Sequence, residues 1–229
     1  MQRTPDPDPI ETWIFDLDNT LYPAGCRLFD QVGRRMSRFV AELLRLDEDA
    51  AQRVRKRLFR THGTTLKGLM TEHGVEPRRF LEFVHDIDLS VLAPDPKLAQ
   101  VLADLPGRKI VYTNADGSYA ARVLERLGLA ARFDAVFDIG AADYRPKPDA
   151  GAFDGLIATF KITPRRAVMI EDIARNLVPA AARGMTTVWV PTGNDWAGEG
   201  AGDGHVDHVA PDLTAWLGQW IGGKTTPFG

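Results

Sequence analysis

The sequence has little that would tie it to a membrane, a disulfide framework or a nucleic acid. Its 229 residues include one cysteine, Cys26, so no intrachain disulfide can form and a reducing compartment fits. No apolar run approaches a membrane span, and the Pro- and Asp-rich first residues lack the apolar core of a signal peptide. The net charge of -3 disfavours binding to nucleic acid polymers, whose binders are usually basic. We therefore expect a cytoplasmic monomer or homodimer that acts on a small molecule.

Short apolar runs predict the buried strands of an α/β protein. The chain is 44% hydrophobic and 26% charged, as in an ordinary globular protein. The predicted strands are residues 13–15, 110–112, 135–137, 167–170 and 187–190. Helical spacing covers residues 118–127, 149–160, 175–183 and 213–221. This alternation predicts a Rossmann-like parallel sheet with helices on both faces.

The alternation fails between residues 22 and 94, which hold no convincing strand. Helical patterns there cover residues 29–46, 48–62 and 78–84. We predict an all-helical cap, residues 22–94, inserted into a core of residues 1–21 and 95–229. The insertion carries 13 Lys and Arg and 10 Asp and Glu, a net charge of +3. The rest of the chain carries 15 Lys and Arg and 21 Asp and Glu, a net charge of -6. A mildly basic cap over an acidic core suits an anionic ligand, although solvated helix faces explain any single arginine equally well.

Polar residues follow the predicted strands at the points where the strands end. They are Asp16, Asp18, Thr113, Asn114, Lys147, Glu171 and Asp172. Ligands of open parallel sheets bind at the carboxyl ends of the strands, so we expect these side chains to line one crevice. Uncompensated burial of charge is costly, so paired carboxylates at such a place indicate a cation or a chemical role.

Magnesium suits this set of residues because it is a hard cation that prefers oxygen ligands. Asp16 and Asp172 can hold it, with the backbone carbonyl of Asp18 as a third ligand. The cation would neutralise a phosphoryl group, which a carboxylate can attack to form an aspartyl-phosphate. The remaining phosphoryl oxygens would be surrounded by the Thr113 hydroxyl, the Asn114 backbone N–H and the Lys147 ammonium group.

Taken singly, these residues can have simpler structural roles. Asp18 can form an Asx turn, and Lys147, between two prolines, can be a solvated loop lysine. Glu171 and Asp172 can cap the helix that follows them, which is compatible with metal binding. The combination of all the segments at one edge of the sheet favours a site.

Four motifs together resemble those of the haloacid dehalogenase superfamily. They are DLDNT, TN, the lysine of RPKPD and the acidic pair of IEDIARN, with a helical cap inserted after the first. The resemblance covers nearly the whole chain. It implies that Asp16 is the nucleophile and a Mg²⁺ ligand, and that Asp18 protonates the leaving oxygen and then activates water. The other implied roles are phosphate binding by Thr113 and Lys147, contact of Lys147 with Asp16, and metal binding by Asp172, with Glu171 a ligand or acting through water.

Asp18 also separates branches of the superfamily. The dehalogenase branch carries tyrosine at this position, so aspartate favours a phosphatase or a phosphomutase. Two cap stretches, THGTTLKGLM at 61–70 and FVHDIDLSVLAPDPKL at 83–98, resemble the pyrimidine 5′-nucleotidase group. This resemblance implies hydrolysis of UMP or CMP to nucleoside and phosphate. The alternatives are a phosphatase of phosphoglycolate or a sugar phosphate, a phosphomutase, and a non-enzymatic sensor of a phosphate ligand.

The first of these stretches is predicted to be a loop-like run between two helices. Its hydrogen-bonding residues are candidates for substrate recognition: His62, Thr64, Thr65 and Lys67. The alternative is an ordinary turn between helices.

Four further residues near the predicted cap have two interpretations each. Tyr22 and Phe29 either stack on a nucleobase or pack in the core, which is commoner for aromatics. His85 and Asp86 either orient the cap or the substrate, or form hydrogen bonds within the cap, and we expect the latter.

Overall fold

The computed structural model describes residues 9–223. The predicted core therefore extends past it at both ends, because residues 1–8 and 224–229 lie outside the described residues. The strands are β1 (Thr12–Phe15), β2 (Arg108–Tyr112), β3 (Ala135–Phe137), β4 (Ala167–Glu171), β5 (Thr186–Trp189) and β6 (His208–Val209). The helices are α1 (Leu28–Leu44), α2 (Glu48–His62), α3 (Thr65–His73), α4 (Pro77–Val84), α5 (Pro96–Asp104), α6 (Gly117–Leu127), α7 (Ala150–Phe160), α8 (Val178–Ala181) and α9 (Leu213–Ile221).

The six strands form one parallel sheet in the order β3-β2-β1-β4-β5-β6. The chain builds one half of the sheet outward from β1 to β3 and then returns to the centre with β4. Ligands of open parallel sheets bind where the strand order reverses, which here is at the carboxyl ends of β1 and its two neighbours, β2 and β4. The predicted α/β fold class is confirmed.

Alternating side chains of β1 explain why both faces of the sheet are covered. Trp13 and Phe15 are fully buried in one hydrophobic cluster, to which α5, α6 and α9 contribute. Ile14 is fully buried in a second cluster on the other face, to which α7 and α8 contribute. Successive residues of a strand point to opposite faces, so this short apolar run supplies both halves of the core.

The helical region, residues 22–94, lies between β1 and β2 along the chain and contains no strand. Its helices α1–α4 share a hydrophobic cluster of their own, which includes Phe39, Leu58 and Phe80. Ile139 and Tyr144, from the segment between β3 and α7, also pack against this cluster. The division of the chain into a core and a cap at residues 21/22 and 94/95 stays a prediction.

Two helices and one strand were not predicted from the sequence, and two predictions were wrong. Helices α3 and α5 and the two-residue strand β6 are additions. The stretch 61–70 is not a loop, because α2 continues to His62 and α3 begins at Thr65. Residues 175–183 form a short 3-10 turn followed by the four-residue α8, rather than one helix. Across the described residues, no helix combines the length and apolar character needed to cross a lipid bilayer.

Candidate active site

The carboxyl ends of the three central strands bring the predicted polar residues to one place. Asp16 directly follows β1, Thr113 directly follows β2, and Glu171 and Asp172 stand at the end of β4. All four are buried. The backbone N–H of Asp16 donates to the Ile170 carbonyl at 2.9 Å, which fixes Asp16 beside the end of β4.

Lys147 is the buried counter-charge of this group. Its Nζ donates to Asp16 Oδ1 at 2.5 Å, to Glu171 Oε2 at 2.6 Å and to the Tyr112 carbonyl at 2.9 Å. These contacts engage all three N–H donors of the ammonium group. The main effect of Lys147 in this geometry is therefore to hold the carboxylates, while its predicted contact with phosphate stays a prediction.

Asn114 positions the segment that carries Lys147. Its side-chain Oδ1 accepts the backbone N–H of Lys147 at 2.8 Å. Thr113 Oγ1 accepts the Ala115 N–H at 3.0 Å, which leaves the hydroxyl proton of Thr113 available to a ligand. The turn after β2 thus supplies a hydroxyl donor and anchors the lysine loop.

Asp16, Glu171 and Asp172 form an acidic cluster that one ammonium group does not balance. One carboxylate oxygen from each residue lies within 4.8 Å of the others. Burial, followed by the charges of Glu171 and Asp16, raises the pKa of Asp172 to about 10. Such a raised pKa means that burial and the neighbouring carboxylates destabilise the ionised form of Asp172 in the folded protein. Buried carboxylate oxygens with surplus negative charge are the donor set that a hard divalent cation such as Mg²⁺ fits.

The two oxygens of Glu171 already have protein donors. Oε2 accepts from Lys147, and Oε1 accepts the Asn176 side-chain amide at 2.8 Å. Burial, followed by the charge of Asp16, raises the pKa of Glu171 to about 7. These contacts favour the interpretation in which Glu171 positions Lys147 and acts on the metal through water, rather than serving as a direct metal ligand.

Sequence reasoning gave no role to Thr20, although it belongs to the DLDNT motif. Its hydroxyl donates to Asp16 Oδ2 at 3.1 Å, so both oxygens of Asp16 are oriented by the protein. The four-residue spacing from Asp16 was the available signal, because a hydroxyl at that distance in a tight turn can return to the carboxylate.

Asp18 is half-buried beside Asp16, and two phenols bind it. The hydroxyls of Tyr22 and Tyr119 donate to Asp18 Oδ1 at 2.5 and 2.8 Å. Burial, followed by the charge of Asp16, raises the pKa of Asp18, which favours the protonated form that a general acid requires. Burial, followed by the charge of Asp18, also raises the pKa of both phenols, so they remain hydrogen-bond donors.

Tyr22 was expected to stack on a base or to pack in the core. It is buried and packs in the core, but its hydroxyl is directed to Asp18. Tyr119 was missed by sequence reasoning. The available signal was its place in the first turn of α6, because that turn follows β2 at the same edge of the sheet.

The candidate recognition residues of the helical region have contacts within that region. His62 Nε2 lies 2.8 Å from Glu72 Oε1, and Glu72 also binds the guanidinium of Arg57. Thr64 Oγ1 accepts the Lys67 N–H at 3.1 Å and caps α3. Thr65 is buried in the first turn of α3. These contacts give His62 and Thr64 structural functions, and the part of all four residues in substrate specificity stays a prediction.

The expectation for His85 was wrong. Its Nδ1 forms a hydrogen bond with Asp116, the N-cap of α6, outside the helical region, because α4 ends against the first turn of α6. Asp86 does bind within the helical region, where its Oδ2 accepts from Arg35 at 2.9 Å. Phe29, which was expected either to stack on a base or to pack in the core, is 37% exposed at the start of α1 and so does not pack in the core.

Comparisons with known proteins agree with this geometry. A family model described as haloacid dehalogenase-like hydrolase matches residues 10–184. Phosphate metabolism protein 8 of Saccharomyces cerevisiae is 30% identical over 147 residues, which cover 58% of this chain and 45% of that protein. The chain therefore matches less than half the length of this curated relative.

Solved structures share the fold. CbbY from Rhodobacter sphaeroides in complex with phosphate has 20% identity and a TM-score of 0.63, covering 91% of this chain and 96% of that chain. A HAD phosphatase from Thermococcus onnurineus has 18% identity and a TM-score of 0.61, covering 95% of this chain and all of that chain (100%).

Proposed function

Because the chain belongs to the haloacid dehalogenase-like hydrolase family, we propose that it is a Mg²⁺-dependent phosphatase of small phosphomonoesters. The observation that carries the proposal is the arrangement around Asp16: Lys147 binds one of its oxygens, Asp172 lies beside it, and Asp18 follows two residues later. In this proposal Asp16 is the nucleophile, Lys147 its counter-charge, Asp172 a metal ligand and Asp18 the general acid.

The residues that would hold Mg²⁺ are Asp16, Asp172 and the backbone carbonyl of Asp18. When bound, the cation supplies positive charge that lets an anionic carboxylate approach an anionic phosphoryl group. Lys147 holds the Asp16 carboxylate in place, since its Nζ lies 2.5 Å from Oδ1. The Thr113 hydroxyl would donate to a phosphoryl oxygen.

In the first chemical step, a carboxylate oxygen of Asp16 forms a bond to phosphorus while the bond from phosphorus to the leaving oxygen breaks. Asp18 transfers its proton to that oxygen, and the product leaves as an alcohol. An aspartyl-phosphate remains on Asp16. The raised pKa of Asp18, caused by burial and then by the charge of Asp16, fits its starting role as a proton donor.

In the second step, the Asp18 carboxylate takes a proton from a water molecule as the water oxygen bonds to phosphorus. The bond between phosphorus and Asp16 breaks, inorganic phosphate is released, and both aspartates return to their first state. The same carboxyl group thus acts as acid and then as base. We propose that residues 22–94 act as a cap that limits access of bulk water during the first step.

The proposed substrate is a pyrimidine 5′-mononucleotide such as UMP or CMP. The support is the similarity of the stretches 61–70 and 83–98 to the pyrimidine 5′-nucleotidase group. A curated relative named for phosphate metabolism and a solved relative in complex with phosphate support the broader phosphatase activity.

Release of inorganic phosphate from a substrate panel tests this proposal. The panel is UMP, CMP, AMP, phosphoglycolate and sugar phosphates, each with Mg²⁺ or with EDTA. We expect Mg²⁺-dependent release with the highest kcat/KM for UMP and CMP, and loss of at least about a thousandfold in Asp16→Asn. Asp30→Asn, the same change at an exposed aspartate on α1, is the matched control and should retain activity.

Each contrary result points elsewhere. Preference for phosphoglycolate or a sugar phosphate would replace the nucleotidase proposal while keeping the phosphatase. Transfer of the phosphoryl group between sugars without phosphate release would indicate a phosphomutase. An Asp16→Asn variant with wild-type rates would contradict the nucleophile assignment.

A further inference from the structure

Two phenols bind the same oxygen of Asp18. Tyr22 approaches from the turn after β1 and Tyr119 from the first turn of α6, 101 residues further along the chain from Asp18. In the described part of the chain, both hydrogen bonds to the Asp18 carboxyl group end on Oδ1. With the lone pairs of Oδ1 occupied by two donors, the proton of a protonated Asp18 belongs on Oδ2.

Tyr119 is in turn held by a residue of the helical region. Its ring stacks on that of His85, with 4.2 Å between the ring centroids and 14° between the planes. His85 is buried at the end of α4, and its carbonyl accepts the Arg122 guanidinium at 2.6 Å. The face of Tyr119 is therefore covered by a ring that is itself fixed to α6.

Asp116 joins the two stacked rings. One of its oxygens accepts the backbone N–H of Tyr119 at 2.9 Å, and the other binds His85 Nδ1. A displacement of the end of α4 would therefore move His85 away from both Asp116 and the ring of Tyr119. These contacts connect the end of α4 to the Asp18 carboxyl group through Tyr119.

We propose that Tyr22 and Tyr119 are positioning residues that direct Oδ2 of Asp18 toward the leaving oxygen, and that His85, fixed by Asp116, holds Tyr119 in the required orientation. The inference rests on the proposed phosphatase function and adds to it. It makes proton delivery depend on where the helical region sits, so that Asp18 is correctly oriented when α4 is docked on α6.

A comparison of two esters separates this role from a structural one. An alkyl ester such as UMP needs its leaving oxygen protonated, whereas p-nitrophenyl phosphate has a leaving group that departs without a proton. The quantity measured is kcat/KM, which reports only the steps up to and including the first irreversible one. It is therefore insensitive to the later attack of water on the aspartyl-phosphate. In the Tyr22→Phe/Tyr119→Phe double variant, we expect a loss of about tenfold or more for UMP and less than about twofold for p-nitrophenyl phosphate.

The chain provides a matched control in Tyr144→Phe, since Tyr144 packs against the helical cluster, whereas the phenols that bind Asp18 are those of Tyr22 and Tyr119. This variant should keep both values of kcat/KM. The inhibition constant of inorganic phosphate should be the same in all variants, which shows that the phosphate site is intact.

His85 gives a graded second test. His85→Ala removes the stacked ring and the bond to Asp116, and should reproduce the selective loss on UMP. His85→Phe keeps a flat ring against Tyr119, and should recover part of that loss.

Equal losses on both esters, or no loss on either, would overturn the inference while leaving the phosphatase proposal intact. A wild-type protein that hydrolyses neither ester in the presence of Mg²⁺ would overturn the proposed function, and the inference with it.

Discussion

At the scale of single residues, the site depends on how Lys147 balances buried carboxylates. The residue is 2% exposed and binds Asp16 and Glu171 simultaneously. Removing one member of a buried charged group leaves the others uncompensated, which costs more than the pair contributes in net stability. Lys147 therefore has to be tested for folding as well as for activity.

We predict that Lys147→Met lowers the free energy of unfolding of the metal-free protein by about 3–5 kcal/mol, because Asp16 and Glu171 lose their counter-charge. Urea unfolding in EDTA measures this. Lys97→Met, at an exposed position in the first turn of α5, should change stability by less than about 0.5 kcal/mol. Equal stability of the two variants would show that the ammonium group is not the required counter-charge.

The sequence identified single residues well where a residue type itself encodes the chemistry. Asp16 and Asp172 could be selected because acids directly after apolar strands are costly to bury without a chemical role, and Lys147 because it lies between two prolines in the loop after β3. Tyr119 was not selected, because a buried tyrosine on an amphipathic helix is usually part of the core, and its place in the first turn of α6 was the one signal that pointed to the site. Only the folded chain shows that its hydroxyl meets Asp18.

At the scale of elements, the packing of α2 against α3 explains the glycine-rich stretch that was predicted to be a loop. A Cβ atom on Gly68 would lie 2.8 Å from both Cβ and Cδ2 of Leu58. The glycine is thus a requirement of close helix packing rather than a sign of a turn. Thr64, which caps α3, was the local signal for a helix start, but it was outweighed by the two neighbouring glycines.

We predict that Gly68→Ala destabilises the protein by about 1–3 kcal/mol, because the added methyl group overlaps Leu58. Gly218→Ala is the matched control: this glycine lies inside α9, and an added Cβ has no atom within 4 Å. It should stabilise the protein by roughly 0.5–1 kcal/mol through higher helix propensity. Thermal and urea unfolding measure both, and a shift of the same sign in the two variants would contradict the packing explanation.

Whether the other elements were predicted depended on the signal that each leaves in the sequence. The central strands β1, β2 and β4 were found from short apolar runs because they are buried on both faces. Strand β6 has two residues and leaves no such run. Helix α5 begins with Asp95 as its N-cap and Pro96 in its first turn, a start signal that the surrounding loop sequence obscured.

At the scale of the whole molecule, two contacts join the helical region to the segments that follow β2 and β4. His85 and Asp116 form one contact. In the other contact, the guanidinium of Arg175 lies 4.9 Å from the centroid of the Phe59 ring of α2. The centroid of the Trp196 ring lies 5.7 Å from that of Phe59. Arg175 follows the metal-ligand candidate Asp172 by three residues, and Asp116 binds the backbone N–H of Tyr119, whose hydroxyl donates to Asp18. Both contacts therefore adjoin segments that carry proposed site residues.

Metal binding should set how the stability of the whole molecule depends on pH. Without metal, burial and neighbouring charge raise the pKa of Glu171 to about 7 and that of Asp172 to about 10. Above their unfolded values of about 4, the folded state then binds more protons than the unfolded state, so stability falls as pH rises toward these pKa values. Bound Mg²⁺ favours the ionised carboxylates and should remove this fall.

The expected result is a lower urea midpoint at about pH 8.5 than at about pH 5.5 in EDTA, and a much smaller difference in excess Mg²⁺. Asp172→Asn in EDTA should show a smaller decrease of the urea midpoint with rising pH, because one of the two carboxyl groups with a raised pKa has been removed. A pH dependence unaffected by both Mg²⁺ and this substitution would contradict a metal site at these carboxylates.

The central claim is that Asp16 accepts the phosphoryl group, and chemical trapping tests it most directly. The protein is mixed with Mg²⁺ and its best substrate, quenched in acid, reduced with borohydride and digested for peptide mass spectrometry. Since borohydride reduces an acyl phosphate to an alcohol, we predict homoserine at position 16, dependent on substrate and absent from Asp16→Asn. Phosphate release without any reduction at position 16, or with reduction at another carboxylate, would contradict the account.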